Sequence, residues 1–332
     1  MNHSNINFNN KTILITGGAG FIGSNLAFYF QNNYPESHVV IFDCFRSGAL
    51  LSNGNLQSFG HYKNLVGFKG DVICGNINNK KDIETLSDFK FDYIFHQAAI
   101  SDTRAYNQEL VFQTNINSFY DFIKIAKKNN SILIYASSAA TYGSLPSPQK
   151  IGVESPENPY GYSKFAMDQI AYRFRNDIQV IGLRYFNVYG NKEFYKGKTS
   201  SMVIQLGHQI LSNKPPKLFK GSDKIFRDFI FIDDVIQANL KACQSKSNGV
   251  FNVGTGLPRS FQDIADLLQL ELGTEMETDY FLNPYEGYQM HTQADITLTK
   301  EKLGFKPIIT LESGIKTYIP EIKRLHKSLE HD

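Results

Sequence analysis

Up to Arg184, short runs of β-branched and aromatic residues alternate with longer stretches in which apolar positions recur every three or four residues. The short runs predict strands at Thr12–Thr16, Val39–Asp43, Val66–Asp71, Tyr93–Gln97, Ile132–Ser137 and Val180–Arg184. The longer ones predict helices at Phe21–Asn32, Asn79–Phe89, Asn107–Lys128 and Pro159–Phe174, each long enough to cross between parallel strands. Nearly continuous apolar strands joined in this way describe a parallel sheet buried on both faces, the doubly wound α/β pattern. After Arg184 the rhythm breaks into a loop rich in Lys, Gly and Ser, Asn191–Ser201. One further helix and strand follow, Asp233–Gln244 and Gly249–Val253, and then two helical stretches, Ser260–Leu270 and Leu311–His326. The chain is therefore expected to leave a first domain, return once and leave again. Residues 1–186 plus 229–254 form the larger unit and 187–228 plus 255–332 a smaller, mainly helical one.

Composition narrows the classes of partner. With 332 residues, 42% hydrophobic and 20% charged, the chain is globular and large enough for two domains. Lys and Arg number 34 against 32 Asp and Glu, a net charge of +2 that lacks the basic stripe of a nucleic-acid binder. Cys44, Cys74 and Cys243 are widely spaced with no Cys-x-x-Cys, so they read as reduced thiols in a cytoplasmic protein and indicate no metal site. The start, MNHSNINFNN, is polar and Asn-rich, and no apolar run is long enough for a membrane span, so neither export nor a membrane partner is expected. Eighteen Tyr and 26 Phe without a single Trp leave an aromatic excess that composition does not explain.

The first strand runs into Gly17-Gly18-Ala19-Gly20-Phe21-Ile22-Gly23 at the start of a helix. Gly17 suits a tight turn, Gly20 lets a pyrophosphate approach the backbone, and Gly23 permits close packing of helix on strand, while the helix N-terminus offers free N–H groups to the anion. Asp43 follows twenty residues after Gly23, at the end of the next strand, where a carboxylate can take ribose hydroxyls. The motif and its surroundings define a Rossmann-like fold with a dinucleotide cradle. Asp43 favours NAD; Arg46, three residues later, and Lys69, beside Asp71, could each hold a 2′-phosphate and so favour NADP. Charge leaves both cofactors open.

Tyr160-Gly-Tyr-Ser-Lys164 puts a phenol and an ammonium one helical turn apart on one face. A phenol is a weak base at neutral pH, and a neighbouring ammonium favours its ionised form. Upstream, Tyr135-Ala-Ser-Ser138 ends a buried strand in hydroxyls; Ser138 can share a substrate oxygen with Tyr160, Ser137 is its competitor, and Tyr162 reads as packing.

Taken together, Gly-Gly-Ala-Gly-Phe-Ile-Gly, His96-Gln-Ala-Ala99, Ser-Ser-Ala-Ala-Thr-Tyr-Gly, Tyr-x-x-x-Lys and Arg184-Tyr-Phe-Asn-Val-Tyr-Gly190 resemble the extended short-chain dehydrogenase/reductase family of nucleotide-sugar epimerases and dehydratases, over nearly the whole chain. Lys196-Gly197, Pro216-Lys-Leu-Phe-Lys-Gly-Ser222, Arg227-Asp-Phe and Tyr288-Gln-Met-His-Thr-Gln-Ala-Asp295 are most similar to the ADP-L-glycero-D-manno-heptose 6-epimerases within it, enzymes of lipopolysaccharide core synthesis. The resemblance implies an ADP-heptose substrate, a homo-oligomer of five copies, and NADP more often than NAD. It implies Tyr160 and Lys196 as two acid/base groups serving opposite faces of a carbonyl, Lys164 as the tuner of Tyr160, and Ser138 on the oxygen. Around the dinucleotide it implies Phe21, Ile22, Cys44, Gln97, Ala98, Ala99, Ser101 and Val188, with Asn115 below them and Asp71-Val72 near the adenine. For the sugar nucleotide it implies Asn187, Lys198, the segment Phe219, Lys220, Gly221 and Ser222, Arg227 on the diphosphate, and Tyr288. Lys192 and Lys198 also have the ordinary reading of solvated loop charges, and Arg227 that of an ion pair with Asp228 or Asp233.

Two departures stand out. The stretch from Asp43 to Asp71 is longer than in similar sequences, and Gln205 stands where the family often has a substrate-facing His. Rival readings are an NAD-dependent 4-epimerase, decarboxylase or 4,6-dehydratase acting on a UDP- or dTDP-sugar, and a catalytically inactive dinucleotide-binding scaffold. A dehydratase needs an added acid/base pair, which Ser138-Ala139-Ala140 does not offer, and the retained Tyr160, Lys164 and Ser138 speak against the scaffold.

Overall fold

Seven parallel strands run through the centre of the protein: β1 (Thr12–Thr16), β2 (His38–Asp43), β3 (Asp71–Cys74), β4 (Tyr93–His96), β5 (Ile132–Ser138), β6 (Val180–Tyr185) and, much later in the chain, Gly249–Val253. The computed structural model describes residues 5–284 and 288–329. The first four residues of the Asn-rich start and the last three residues of the expected second domain lie outside the described residues. Between the strands come α1 (Phe21–Asn33), α2 (Lys80–Glu84), α3 (Gln108–Phe112), α4 (Ser118–Asn129) and α5 (Pro159–Phe174). Beyond the sixth strand follow β7 (Asn187–Tyr189), α6 (Met202–Leu211), β8 (Lys217–Phe219), β9 (Phe226–Arg227), β10 (Phe229–Phe231), α7 (Ile232–Gln244) and the returning strand, β11 (Gly249–Val253). The chain ends with β12 (Arg259–Ser260), α8 (Phe261–Leu272), β13 (Asp279–Phe281), α9 (Thr297–Leu303) and α10 (Leu311–Leu329).

The sheet order is β3-β2-β1-β4-β5-β6-β11. The order reverses between β1 and β4, and in a doubly wound sheet that reversal opens a crevice at the carboxyl ends of the strands. Alternation of side chains explains the two buried faces. Ile13, Ile15, Val39, Ile41, Phe95 and Leu183 point into one core, whereas Leu14, Val40, Phe42, Ile94 and Leu133 point into another beneath α4 and α5. Helices α6, α8 and α10 form the second lobe, joined through Leu206, Leu268, Ile315 and Ile322 to the core on the first face. Helix α9 instead packs on β11 and α7, beside the sheet. Among the described residues, no helix is long and apolar enough to cross a membrane.

Three expected elements differ from those observed. The run Val66–Asp71 is not a strand: Gly67 adopts φ +88, Val66 is exposed, and Phe68 turns back onto Phe28, so the strand is Asp71–Cys74. Helix Asn79–Phe89 is shortened to α2 and a 3₁₀ turn at Thr85–Asp88. Asn107–Lys128 is split by a π turn, Gln113–Asn117, where Asn115 is drawn inward to bond Ile100 and Ser163.

Candidate active site

Strand β1 delivers the chain to a turn that only glycine can make closely. Gly17 has φ +66, and a Cβ there would lie 2.8 Å from the Ala98 nitrogen; one on Gly23 would lie 2.3 Å from the Gly17 carbonyl oxygen. Helix α1 opens at Gly20 with no side-chain cap, leaving its first N–H groups directed at the cleft. Asp43 ends β2 and is 5% exposed; its carboxylate accepts from the Ala19 N–H at 2.9 Å and the Phe45 N–H at 2.7 Å. Burial raises its pKa, and those two donors oppose the rise. Gln97, just past β4, has both side-chain polar atoms buried and, the Tyr185 hydroxyl apart, without a partner among the described residues. A glycine cradle, uncapped helix N–H groups and a buried, under-bonded carboxamide beside them fit a nicotinamide dinucleotide, with its pyrophosphate at α1.

The cavity at these strand ends has a volume of about 360 Å³. It brings together Gly17, Gly20, Phe21, Ile22, Gly23, Asp43, Cys44, Gln97, Ala98, Ala99, Ser101 and Val188 with Ser138, Tyr160, Lys164 and Lys196. A larger cavity of about 680 Å³ lies behind α5, against β6, β11 and α9; it contains none of the candidate site residues.

Five dinucleotide candidates lie elsewhere. Because β3 begins at Asp71, both Asp71 and Val72 occupy its amino end, with Asp71 paired beside Val40 and bonded to His38 at 2.7 Å. The carboxyl end is Cys74, three residues or ~10 Å further on, and Gly75, Asn76 and Ile77 line the cavity in their place. Lys69 precedes the strand, exposed, with its N–H on Gln31, also away from the cleft. Asn115 is fully buried and spends its amide on the Ile100 N–H and carbonyl and the Ser163 hydroxyl, so it braces the cofactor strand end from behind. Arg46 stands outside the cavity wall, its guanidinium donating to the Tyr195 carbonyl.

At the reacting end, Asn158 caps α5 by accepting from the Gly161 N–H, with Pro159 in the first turn, and this aims Tyr160 and Lys164 at the cleft. The Lys164 ammonium lies 5.9 Å from the centre of the Tyr160 ring. Burial pushes the phenol of Tyr160 up, and a hydrogen bond with Ser138 opposes this. Burial brings the Lys164 ammonium down to about 8, and the charge of Asp168 resists the fall. The two candidate serines part company: Ser137 donates to Asp168 at 3.0 Å, whereas the Ser138 hydroxyl accepts from the Ala140 N–H and meets Tyr160. Asp168 also takes the Tyr135 hydroxyl and the guanidinium of Arg184, and so ties β5, α5 and β6 together behind the site.

Lys196 enters from a 3₁₀ turn, Phe194–Thr199, within the stretch expected to be loop. Its ammonium lies 5.6 Å from the centre of the Phe21 ring, and burial lowers its pKa against the charge of Glu193.

In the second lobe Arg227 is 6% exposed. Its guanidinium donates to the carbonyls of Phe226 and Gln289 and lies 5.1 Å from the centre of the Tyr288 ring, which meets Phe219 edge-on at 5.5 Å. The alternative of an ion pair with Asp228 fails, because Asp228 is occupied by Thr255, Gly256 and Ala294; Arg227 has no carboxylate partner among the described residues. A buried guanidinium held only by carbonyls keeps its charge uncompensated and suits an anion. Asn187 is exposed at the start of β7, Lys220 and Gly221 are exposed, and Ser222 is buried against Gln262. Lys198 is exposed, and Gln205 donates to the Ser200 carbonyl, securing the Lys196 turn.

Cavity-lining residues missed from sequence include Ser58, Phe59 and Gly60, in the long stretch after Asp43, and Thr103, Tyr185 and Phe186. Gly60 carries a signal only in three dimensions: a Cβ there would sit 2.2 Å from the Asp43 carboxylate.

A glycine cradle and a Tyr-Lys pair around one crevice are the parts of a dinucleotide-dependent enzyme, and Arg227 lies outside the lining of that cavity. Residues 13–254 match the NAD dependent epimerase/dehydratase family, and the chain belongs to it. A solved ADP-L-glycero-D-manno-heptose-6-epimerase from Helicobacter pylori is 48% identical, with a TM-score of 0.90 over 97% of this chain and 99% of that one. UDP-glucose 4-epimerase from Thermotoga maritima, solved with UDP-glucose, is 27% identical at a TM-score of 0.84, over 95% and 99% of the two chains. UDP-glucuronic acid 4-epimerase from Bacillus cereus, solved with UDP-glucuronic acid and NAD, is 27% identical at 0.80, with the same coverage. The protein is an isomerase, an NAD(P)-dependent epimerase of nucleotide sugars.

Proposed function

We propose that the chain is an ADP-glyceromanno-heptose 6-epimerase of the cytoplasm, interconverting ADP-D-glycero-D-manno-heptose and its L-glycero epimer for lipopolysaccharide inner-core synthesis. The observation that carries this reading is the presence of two proton carriers, Tyr160 on α5 and Lys196 on the 194–199 turn, on different walls of one cleft. The similarity to the Helicobacter enzyme supports the choice of sugar. A nicotinamide dinucleotide supplies reversible hydride transfer when bound.

The chain's own residues supply the rest. Residues 1–186 plus 229–254 hold the dinucleotide, and 187–228 plus 255–332 hold the sugar nucleotide. Gly17, Gly20 and the start of α1 take the pyrophosphate, Asp43 the ribose, and Gln97 the polar edge of the cofactor. Arg227 takes the substrate diphosphate beside Tyr288 and Phe219. Tyr160 removes or returns the hydroxyl proton at C6 on one face, with Lys164 favouring its phenolate and Ser138 bonding the oxygen. Once C6 has become a ketone and has turned, its oxygen points the other way, and Lys196 serves that face. The oxidation and the re-reduction at C6 cancel, so there is no net redox change; a turnover leaves Tyr160 with one proton more and Lys196 with one fewer, and proton exchange with solvent restores both.

NADP is the proposed cofactor: the resemblance favours it, the Asp43 carboxylate already accepts two backbone N–H groups, and Arg46, outside the cavity wall on the Tyr195 carbonyl, would have to turn inward to meet a 2′-phosphate. A homo-oligomer, of five copies by resemblance, belongs to the same proposal and is checked by light scattering.

Incubation with each C6 epimer of ADP-glycero-manno-heptose, followed by NMR of the sugar and mass spectrometry of released cofactor, tests the reading. Interconversion of the two epimers with NADP recovered unchanged is the expected result. Turnover of UDP-sugars without exchange of the heptose epimers would overturn it in favour of a 4-epimerase.

A further inference from the structure

Glu193, one 3₁₀ turn before Lys196, is wholly buried. Its carboxylate accepts from the Ser201 N–H at 2.6 Å, the Ser201 hydroxyl at 2.8 Å and the Gly190 N–H at 3.1 Å, joining the two ends of the segment that bears Lys196. Its own carbonyl accepts the Lys196 N–H at 2.9 Å. A buried carboxylate normally has a cation in direct contact. Glu193 forms no direct ion pair among the described residues; burial raises its pKa, and the charge of Lys196 and the donors of Ser201 and Gly190 oppose the rise.

We infer that Glu193 is the positioning residue of Lys196: it closes the 190–201 segment around three hydrogen bonds and supplies the counter-charge that keeps the lysine an ammonium in a largely apolar pocket. The inference rests on the acid/base role proposed for Lys196. A lysine facing the Phe21 ring loses its proton easily. With Glu193 ionised behind it, Lys196 can hold a proton to donate and still release it when the reaction runs in reverse. Every packed element contributes to its field. Tyr160 and Lys164 face the same cleft from α5, and Tyr185 faces it from β6; Arg46 and His61 reach the neighbouring Tyr195 from the long stretch after Asp43. Tyr318, Glu321 and Arg324 lie behind on α10, with Tyr318 near Glu193, and His208 faces Phe194 from α6. Glu193 alone is both buried and placed within the same turn.

The test reads the proton on Lys196 directly in the full-length protein, by competitive acylation across a pH series with peptide mass spectrometry. Glu193→Gln is expected to lower the titration midpoint of Lys196 by about one pH unit or more. Glu193→Asp, which keeps the charge, is expected to leave it near the parent value and decides the point if the Gln variant does not fold. An unchanged midpoint in Glu193→Gln, or a drop in Glu193→Asp, would overturn the inference. In turnover, the Glu193→Gln, Lys196→Met pair should be no slower than Lys196→Met alone; additive losses would make Glu193 a scaffold only. Full activity in Lys196→Met would sink the proposed function while leaving the labelling result standing.

Discussion

The reacting end of the cleft is set by how few groups surround each proton. Tyr160 has a hydroxyl beside it and an ammonium one turn away, and Lys196 has one carboxylate behind it. Replacing Tyr160 by Phe, or Lys196 by Met, removes one proton carrier without touching the cradle. Each variant should lose about two or more orders of magnitude in turnover and still retain dinucleotide, measured by single-turnover kinetics and by fluorescence titration. Lys164 gives a prediction of the opposite sign for stability. Its folded pKa of about 8 lies below the ordinary lysine value of 10.5, so the buried ammonium disfavours the folded state below pH 8, and the cost fades as pH rises from 8 to 10.5. Lys164→Met should therefore be inactive yet more stable at pH 7, by up to about 3 kcal/mol, with the advantage gone near pH 10.5; urea melts at both pH values measure it. Tyr160 and Lys164 were legible in sequence because their chemistry is local to one helix turn, whereas Lys196 was singled out only by the family's spacing from Asn187. Glu193 was not, since a Glu in a loop has no signal until the fold buries it.

At the scale of elements, the long stretch after Asp43 proves to be part of the site. It carries Ser58, Phe59 and Gly60 to the cavity, and it clasps the Lys196 turn: His61 stacks on Tyr195 with ring centres 3.9 Å apart, Lys192 donates to the Asn64 carbonyl, and Arg46 to that of Tyr195. Such a ring pair contributes about 1 kcal/mol. His61→Ala should accelerate amide exchange at residues 194–199 roughly five-fold, with exchange in β1 and β4 unchanged, by hydrogen–deuterium mass spectrometry. Strand β3 shows why element boundaries were harder to read than element types. Two strand-like runs, Val66-Gly-Phe68 and Val72-Ile-Cys74, compete in sequence. Pairing of Asp43 with Cys74 selects the second, and with it Asn76 and Ile77 as the residues at the cofactor end. The split of Asn107–Lys128 has a similar origin, because the π turn is drawn in by Ile100 and Ser163, both remote from Asn115 in sequence.

For the molecule as a whole, a net charge of +2 conceals two buried cations, Lys164 and Lys196, in one crevice. Binding energy there couples to folding. NADP at a hundred times its dissociation constant should stabilise the protein by about 2.7 kcal/mol, seen as a raised melting temperature, and NAD at the same concentration by less; equal shifts would remove the proposed preference. The aromatic excess also finds a place: Phe8 meets Phe30, Tyr34 and Tyr93 edge-on at 4.9 to 5.1 Å, packing the first face of the sheet, while Tyr160 lines the cavity and Tyr288 lies against Arg227. Nothing in the packing explains the absence of Trp. By itself the sequence determined the doubly wound class, the glycine cradle and the Tyr-Lys pair, because apolar period, glycine spacing and helical repeat are properties of neighbouring residues. Tertiary structure decided that Asn76 and Ile77 rather than Asp71 and Val72 line the cavity, which serine meets Tyr160, that Arg227 has no carboxylate partner among the described residues and that Glu193 is buried just before the Lys196 turn. Those outcomes depend on register and burial, which arise only when segments distant in the chain compete for the same space and the same donors.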